Sequence, residues 1–269
     1  MNVFVFDIET VPDVAAGRRL YDLGDLSDKD VAQVMFHVRR QESDSDFLRH
    51  HLHRIVAISA VLRSGNGFKV WSLGTPESAE KELIERFFDG IEKYAPTLVT
   101  WNGGGFDLPV IHYRALVHGV AAPRYWDIGD DDREFRYNNY LNRYHHRHTD
   151  LMDVLSGYQP RACAPLNEIA LINGLPGKMG MDGGKVWDSY CAGQIDQIRD
   201  YCETDVLNTY LLYLRFEQIR GRLDAESYAQ EVQRVREALR QDSRPHLRAF
   251  LEAWDAMDPS SAQSEDAAS

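Results

Sequence analysis

The chain has 269 residues, of which 43% are hydrophobic and 27% charged, and its formal net charge is −12 at pH 7. This composition predicts a soluble globular protein with one large core and an appendage, and no apolar run approaches the length of a membrane span. The acidic balance argues against a broad basic face for nucleic acid, whereas a site that grips a few nucleotides through bound cations needs only local positive charge.

The N-terminus and the cysteines bear on the cellular compartment. The chain begins with a strand pattern rather than with the basic region of a signal peptide. Cys163, Cys191 and Cys202 are odd in number and lack Cys-x-x-Cys spacing, which favours reduced thiols over disulfides or a zinc site. We therefore expect a cytoplasmic protein in which no cysteine needs a chemical role.

The first predicted strand, from Val3 to Thr10, ends with two carboxylates. Because strand side chains alternate, Asp7 and Glu9 emerge on one face and Ile8 on the other. Two like charges this close repel each other and lose hydration, so a cation is expected between them. A divalent metal is the obvious candidate.

The next segments predict a sheet. Residues 54–62 and 67–73 flank a Ser-Gly-Asn-Gly turn and predict a hairpin, which completes an antiparallel meander with the first strand. Residues 77–94 have helical spacing of apolar side chains and lead into a strand at 97–101. This crossover predicts a parallel partner beside the first strand, followed by a helix from about Phe106 to about His118.

The second half of the chain is mainly helical. It predicts a strand at 147–151, a short helix at 165–173, a glycine-rich loop at 174–184 and a long helix at about 194–220. Two further helices are expected within 225–257, divided at Ser243-Arg244-Pro245, and the tail is expected to be disordered. Together the elements predict an α/β fold, a mixed sheet of the ribonuclease-H-like kind with helices on both faces, plus a C-terminal helical extension.

Two later segments add carboxylates to the end of the first strand. Asp107 follows the fourth strand and its Trp101-Asn102-Gly103-Gly104-Gly105-Phe106 loop, at the N-terminus of a helix on the same sheet edge. Tyr201 and Asp205 lie at i and i+4 on the long helix, so their side chains are neighbours. We expect Asp7, Glu9, Asp107 and Asp205 to meet at one site.

These residues resemble the motifs of DnaQ-like DEDD 3′-5′ exonucleases of the tyrosine subtype, in particular the proofreading domain of family-B DNA polymerases and its stand-alone bacterial relatives. Residues 6–10 (FDIET) resemble the first motif, Asn102-x3-Phe106-Asp107 the second, and Tyr201-x3-Asp205 the third. The histidine subtype would place a histidine at position 200, where this chain has an aspartate. The resemblance runs to about residue 220 and implies an exonuclease domain at 1–221. The apolar pattern and the composition of the remaining chain predict a helical extension at 222–257 and a disordered tail at 258–269.

The resemblance also implies a mechanism with two Mg²⁺ or Mn²⁺ ions. Asp7 would bridge both ions, Glu9 and Asp205 would hold the ion that carries the attacking water, and Asp107 would hold the second ion through water. Tyr201 would orient the attacking water, since the ordinary pKa of tyrosine is too high for an efficient base at pH 7. The products would be a nucleoside 5′-monophosphate and a shortened 3′ end, with single-stranded DNA as the expected substrate.

Substrate contacts are expected in the same motifs. Thr10 and Asn102 resemble family positions that contact the terminal nucleotide, and Phe106 belongs to the second motif; turn formation accounts for Thr10 and Asn102 equally well. Residues 133–148 interleave Arg, Tyr and His, including Arg136 and Tyr137, which is typical of a nucleic-acid groove. The alternative for this segment is a solvated loop with aromatic side chains packed on the sheet edge.

The glycine-rich loop lacks the spacing of a phosphate-binding loop, so we expect no ATP site. Lys178 or Lys185 is a candidate for phosphate contact, although a flexible connector is the interpretation we favour. His50, His51 and His53 are expected at the surface rather than around zinc, and Asp150 and Asp153 are expected to cap a helix or face solvent.

Two other functions stay open. The first is an RNA or oligonucleotide 3′-trimming nuclease, because nothing in the sequence reports contact with a 2′-hydroxyl group. The second is a non-catalytic module that binds nucleic acid or protein on an exonuclease scaffold, against which the intact acidic quartet argues. A protein partner for the C-terminal helices is also left open.

Overall fold

Five strands form one mixed sheet in the order β3-β2-β1-β4-β5. The computed structural model describes residues 2–257, so the predicted disordered tail lies outside the described residues. The strands are β1 (Asn2–Pro12), β2 (His53–Ser64), β3 (Gly67–Ser72), β4 (Thr97–Thr100) and β5 (His148–Asp150). The first three are antiparallel, β4 runs parallel to β1, and β5 runs parallel to β4. The predicted meander and crossover are confirmed.

Helices cover both faces of this sheet, as the sequence predicts. They are α1 (Val14–Tyr21), α2 (Asp28–Ser43), α3 (Glu80–Tyr94), α4 (Asp107–His118), α5 (Pro123–Trp126), α6 (Leu151–Leu155), α7 (Leu166–Ile172), α8 (Val186–Cys191), α9 (Ile195–Ile219), α10 (Ala225–Gln241) and α11 (Pro245–Met257). Within residues 2–257, no helix has both the length and the apolar character that crossing a bilayer requires.

Successive side chains of β1 point to opposite faces of the sheet. They therefore pack in two separate cores, and the direction of the two carboxylates on this strand is set in the same way. Val3 and Val5 pack in the core that includes α9, whereas Phe4, Phe6 and Ile8 pack in the core of α3 and α4. Asp7 and Glu9 continue the face of Val3 and Val5. They therefore point toward α9 from the end of β1.

Helix α9 is buried over most of its length because β1 and β2 lie on one side and α10 and α11 on the other. Buried positions run without interruption from Tyr201 to Leu214. A helix enclosed on all sides holds its polar groups in fixed positions, since each one must find a partner. Tyr201 and Asp205 lie in this enclosed part.

Helices α1 and α2 were not predicted from the sequence. Asp13 caps α1 by accepting a hydrogen bond from the Ala16 amide at 3.0 Å, and Ser27 caps α2 through the Asp30 amide at 3.2 Å. The two helices pack closely at Gly17, where an added Cβ atom would lie 2.5 Å from the sulfur of Met35. Gln33, Phe36 and Arg40 of α2 line a cavity beside Thr10 at the end of β1.

Ion pairs that are buried or partly buried attach the C-terminal extension to the sheet and to α9. Arg63 of β2 bonds to Glu231 of α10, with Nη2 and Oε1 2.5 Å apart. Glu203 of α9 accepts hydrogen bonds from Arg244 at 2.6 Å and His246 at 2.9 Å. Both nitrogens of His246 face carboxylates, since Nδ1 lies 3.0 Å from Asp200. The imidazole therefore interacts most favourably with the Asp200 and Glu203 carboxylates when it is protonated.

Because His246 is bonded in its protonated form, we expect the protein to lose stability in alkaline solution. Burial opposes its charge, but the bonds to Asp200 and Glu203 prevail and raise its pKa to about 9. A raised folded pKa gives stability that is complete below about pH 6.5 and is lost as pH rises through about 9. We expect the free energy of unfolding to fall by about 2 to 3 kcal/mol between pH 7 and 10 in chemical denaturation.

The matched variants are His246→Gln and, as a control, His37→Gln at an exposed position of α2. His246→Gln should remove most of this pH dependence, and His37→Gln should leave it unchanged. Equal pH profiles for wild type and His246→Gln would contradict the assignment.

Candidate active site

Three elements bring the acidic residues together at the end of β1. Asp107 at the start of α4 accepts a hydrogen bond from the amide of Ile8, with N and Oδ1 3.1 Å apart. Asp7 and Glu9 flank Ile8 on β1, and Asp205 approaches from α9. Glu9, Asp107 and Asp205 are buried, and Asp7 is partly buried. The structure thus gathers all four predicted carboxylates.

The electrostatics of the cluster agree with this geometry. Burial and then repulsion by Asp107, Glu9 and Asp205 raise the pKa of Asp7 well above its ordinary range. Burial and repulsion by Asp205 and Asp107 do the same for Glu9. Burial raises the pKa of Asp107 to about 7 and that of Asp205 to about 6. Without a compensating cation, the four groups cannot all be ionised near neutral pH at low cost.

Tyr201 borders the carboxylates and keeps its proton. Burial raises its pKa, and the charges of Asp205, Glu9 and Asp7 raise it further. The nearby Tyr201 hydroxyl group in turn lowers the pKa of Asp205. Tyr201 is therefore a hydrogen-bond donor at this site rather than a base.

Lys178 supplies positive charge beside the same residues. Its Nζ lies 5.7 Å from the centre of the Tyr201 ring, and it lowers the pKa values of Glu9 and Asp205. The preceding Gly177 is held by the buried Asn208, which accepts from its amide at 3.2 Å and donates to its carbonyl at 3.0 Å. The interpretation of this part of the loop as a flexible connector is wrong, because a buried side chain fixes its backbone.

The residues present fit a divalent cation. Among residues 2–257, Asp205 Oδ1 is one of the few buried side-chain atoms without a hydrogen-bond partner. Donor atoms of Asp7, Glu9 and Cys202 lie within 4.8 Å of one another. Carboxylate oxygens suit Mg²⁺ and Mn²⁺, and an unpartnered buried oxygen is costly unless it binds a ligand.

Cys202 is a site residue that sequence reasoning missed. Its Sγ lies 3.4 Å from the carbonyl oxygen of Asp7 and 3.6 Å from Asp7 Oδ2. The sequence pattern places this residue in the apolar stripe of α9, without a chemical role. Its position three residues before Asp205 was the available signal, since residues at i and i+3 share a helix face.

The loop after β4 is fixed by Asp150, which accepts from the amides of Asn102 at 2.9 Å and Gly104 at 2.8 Å. Asp150 also caps α6, so the predicted capping role is confirmed for it, and its side chain is buried rather than solvated. Asn102 has a φ of 65°, and a Cβ atom on Gly105 would lie 2.5 Å from Asn102 Oδ1. Glycine at this position lets the loop turn tightly into Asp107.

Thr10 follows the acidic pair and bonds to His53, with Oγ1 and Nδ1 2.8 Å apart. His53 Nε2 lies 3.1 Å from the Leu48 carbonyl, which can only accept, so Nε2 carries the hydrogen and Nδ1 accepts from Thr10. Burial lowers the pKa of His53 to about 4. The expected surface position is therefore wrong for His53, because Phe47, Leu48 and Phe106 pack against its ring.

A cavity of about 410 Å³ opens beside Thr10 and His53, and Phe47 and Trp187 contribute to its lining. Phe106 lies next to this region, since its ring centre is 5.1 Å from that of Phe47 and 5.1 Å from that of His53. The structure thus places both Thr10 and Phe106 against His53, and each adjoins one of the acidic residues in sequence, Glu9 and Asp107.

Arg136 and Tyr137 are not brought to this site. Their segment packs at the start of β4, where Tyr140 donates to the Pro96 carbonyl at 2.7 Å and Arg147 to the Ala95 carbonyl at 3.3 Å. The carboxylates lie beyond the other end of the parallel β1–β4 pair. Phe135 and Tyr140 are buried, which favours the alternative of aromatic side chains packed on the sheet edge, whereas Tyr137 is exposed. A role of this segment in binding nucleic acid stays a prediction.

The acidic cluster predicts that the thermal stability of the protein depends on pH, and that a bound metal ion removes this dependence. The raised folded pKa values of Asp107 and Asp205 give stability that is complete below about pH 4 and is lost as pH rises through about 6 to 7. In the presence of EDTA we expect the Tm to fall by roughly 5 °C or more between pH 5 and 8. Millimolar Mn²⁺ should abolish this fall, because the ion binds the deprotonated carboxylates.

Differential scanning calorimetry of wild type and Asp205→Asn measures this coupling. The variant should show a smaller fall in Tm with EDTA and a weaker response to Mn²⁺. A Tm that is independent of pH in EDTA, or insensitive to Mn²⁺ at pH 8, would be incompatible with a metal site at these carboxylates.

A mixed ribonuclease-H-like sheet with buried carboxylates at the end of its first strand defines an exonuclease-type fold. The chain belongs to the family described as "predicted 3'-5' exonuclease related to the exonuclease domain of PolB", whose model matches residues 45–254. The match includes Asp107, Tyr201 and Asp205. It also runs through α10 and most of α11, so our expectation that the resemblance stops near residue 220 is wrong.

Curated relatives are DNA polymerases much longer than this chain. The catalytic subunit of DNA polymerase epsilon from Emericella nidulans is 29% identical over 145 residues, which is 52% of this chain and 6% of the relative. The corresponding polymerase of Saccharomyces cerevisiae is 26% identical over 148 residues, 52% of this chain and 6% of the relative. DNA polymerase 1 of Sulfurisphaera ohwakuensis is 58% identical over 67 residues, 24% of this chain and 8% of the relative. The chain thus spans less than a tenth of each of these polymerases.

Proposed function

We propose that this protein is a metal-dependent 3′-5′ exonuclease that hydrolyses the terminal phosphodiester of single-stranded DNA to nucleoside 5′-monophosphates. The observation that carries the proposal is the convergence of Asp7, Glu9, Asp107 and Asp205, with Asp205 Oδ1 unpartnered among residues 2–257. Buried like charges are costly unless a ligand compensates them. Membership of a predicted exonuclease family supports the same activity.

We assign the four carboxylates to a pair of Mg²⁺ or Mn²⁺ ions, because their donors are hard oxygen atoms. When bound, such ions lower the pKa of water and neutralise charge on a phosphate group. The protein's part is to hold Asp7, Glu9, Asp107 and Asp205 in place before the substrate arrives. The bond from the Ile8 amide to Asp107 and the enclosure of α9 do this.

Tyr201 and Lys178 complete the proposed chemistry. The protonated Tyr201 hydroxyl orients the attacking water as a hydrogen-bond partner. The Lys178 ammonium group offsets negative charge on the scissile phosphate. The water oxygen forms a bond to phosphorus, the bond from phosphorus to the 3′ oxygen breaks, and that oxygen takes up a proton to leave a shortened 3′-hydroxyl end.

The terminal nucleoside is assigned to the cavity beside Thr10. Phe47, Phe106 and His53 supply ring surfaces on which a base can pack, and single strands are typically bound in this way. Thr10 gives its hydroxyl hydrogen to His53, so its oxygen is free to accept from a terminal 3′-hydroxyl group. Asn102 lies at the second motif, beside this region, and is proposed as a further substrate contact.

The test is a product assay with 3′- and 5′-labelled oligomers of single-stranded DNA, duplex DNA and RNA in Mg²⁺ and Mn²⁺. We expect the 3′ label to be released as mononucleotide and the 5′ label to remain on progressively shorter strands. Faster cleavage of RNA than of DNA would favour the 3′-trimming nuclease. Binding of the oligomers without any metal-dependent cleavage would favour the non-catalytic module and overturn the proposal.

A further inference from the structure

Cys202 places a sulfur donor in the acidic cluster, and the proposed hydrolysis makes no use of it. Its side chain is fully buried, and Sγ contacts both the carbonyl and the carboxylate of Asp7. A thiolate is a soft donor that favours Zn²⁺ and Cd²⁺ over Mg²⁺. The cluster therefore combines ligands of two classes around one space.

The distances fit a zinc-type ion. A tetrahedral ion with a metal–sulfur distance of about 2.3 Å and a metal–oxygen distance of about 2.1 Å holds its sulfur and oxygen about 3.6 Å apart. In the structure, Cys202 Sγ and Asp7 Oδ2 are 3.6 Å apart. A carboxylate oxygen of Glu9 lies within 4.8 Å of both donors, close enough to join them on one ion.

A second observation also indicates a missing ligand. Asp205 Oδ1 is buried without a partner, and Asp205 lies one helical turn beyond Cys202 on the same face of α9. Asp205 would supply the remaining donor of a four-coordinate site.

We propose that Cys202, with Asp7 and Glu9, binds a thiophilic divalent cation such as Zn²⁺, and that this ion excludes the hard cation and switches the exonuclease off. On binding, the Sγ–H bond breaks, the proton passes to solvent, and an Sγ–metal bond forms. No oxidant or reductant is needed. The regulatory part rests on the proposed function, whereas the binding part does not.

The binding test uses Cd²⁺, whose bond to a thiolate gives an ultraviolet charge-transfer absorption. The full-length protein is titrated with Cd²⁺ as wild type, as Cys202→Ser and as the double variant Cys163→Ser/Cys191→Ser, which removes the two more accessible thiols. We expect one equivalent of the absorption in wild type and in the double variant, and none in Cys202→Ser. Calorimetry should show Cd²⁺ bound at least about a hundredfold more weakly by Cys202→Ser.

An absorption that survives in Cys202→Ser, is missing in wild type, or disappears only in the double variant would overturn the proposal. If thermal melting shows that Cys202→Ser does not fold, Cys202→Ala takes its place, and Asp7→Asn in an intact Cys202 background must also weaken Cd²⁺ binding.

The regulatory part is tested by inhibition in the presence of Mg²⁺. Half-inhibition of Cys202→Ser should need at least about tenfold more Zn²⁺ than half-inhibition of wild type. Equal sensitivity would refute the switch. A protein with the Cd²⁺ absorption but no nuclease activity would refute the proposed function and leave the thiolate site standing, so the two failures are distinguishable.

Discussion

Asp205→Asn is expected to lower exonuclease activity by roughly a thousandfold or more while making the metal-free protein more stable. The loss follows because an amide is a poor ligand for a hard cation, and about 4 kcal/mol of transition-state stabilisation corresponds to a thousandfold in rate. The gain follows because burial raises the pKa of Asp205, so ionising it at pH 8 costs free energy in the folded state. Single-turnover kinetics and melting curves in EDTA measure the two effects.

The matched control is Asp196→Asn in the first turn of the same helix, at an exposed position. It removes the same charge without touching the cluster, so its activity should stay close to that of wild type. An Asp205→Asn variant that is inactive but less stable than wild type in EDTA would indicate a structural rather than a metal-binding role. A fully active one would refute the site.

Arg114→Met is expected to destabilise the protein by about 3 to 5 kcal/mol, because it removes the guanidinium group that pairs with the buried carboxylates of Asp13 and Glu80 and leaves only His118 beside Glu80. Arg114 of α4 bonds to Asp13 at the end of β1 and to Glu80 at the start of α3, where Nη2 and Oε2 are 2.5 Å apart. Glu80 also accepts from the Ile55 amide at 2.7 Å. One guanidinium group thus joins two helices to the strand ends beside the active site. Chemical denaturation at pH 7 measures the loss.

An exposed pair provides the comparison. Arg86→Met removes a partner of Glu82 on α3 at 2.8 Å, with both side chains substantially exposed, and should cost less than about 1 kcal/mol. Adding Glu80→Gln and Asp13→Asn to Arg114→Met should recover part of the stability, since the unpaired charges are then gone. If Arg114→Met costs no more than Arg86→Met, the buried network contributes little.

The order of the strands and the main helices could be predicted because they depend on local patterns. The alternation of β1 assigns Asp7 and Glu9 to one face, and the i, i+4 spacing of α9 pairs Tyr201 with Asp205. The turn at residues 64–67 and the crossover into β4 could be predicted from local patterns in the same way. For these elements each residue's environment follows from its near neighbours along the chain.

The cavity wall was not predictable in the same way. Helices α1 and α2 bury few residues each, so their positions depend on contacts with distant parts of the chain. Thr10 of β1 and His53 of β2, which lie at the same cavity, are bonded to each other although they are 43 residues apart in sequence. No local pattern identifies such a pair.

The segment of Arg136 and Tyr137 was predicted to lie at the site, whereas the structure places it elsewhere. Its mixture of arginine, tyrosine and histidine is compatible with a nucleic-acid groove and with a packed edge, and composition does not distinguish them. The bonds of Tyr140 and Arg147 hold the segment at the start of β4, away from the carboxylates. The metal and substrate roles of the site residues stay predictions for the experiments above.

The sequence by itself determined the fold class, the face of β1 that carries the carboxylates, and the four acidic residues that converge at its end, because strand and helix periodicities act over a few residues. Only the tertiary structure decided that Lys178 is held beside Tyr201, that Cys202 meets Asp7, and that Arg136 lies at the far edge. The sulfur and the carboxylate are 195 residues apart in the chain. Packing of α9 across the sheet, rather than any local preference, brings them within contact distance.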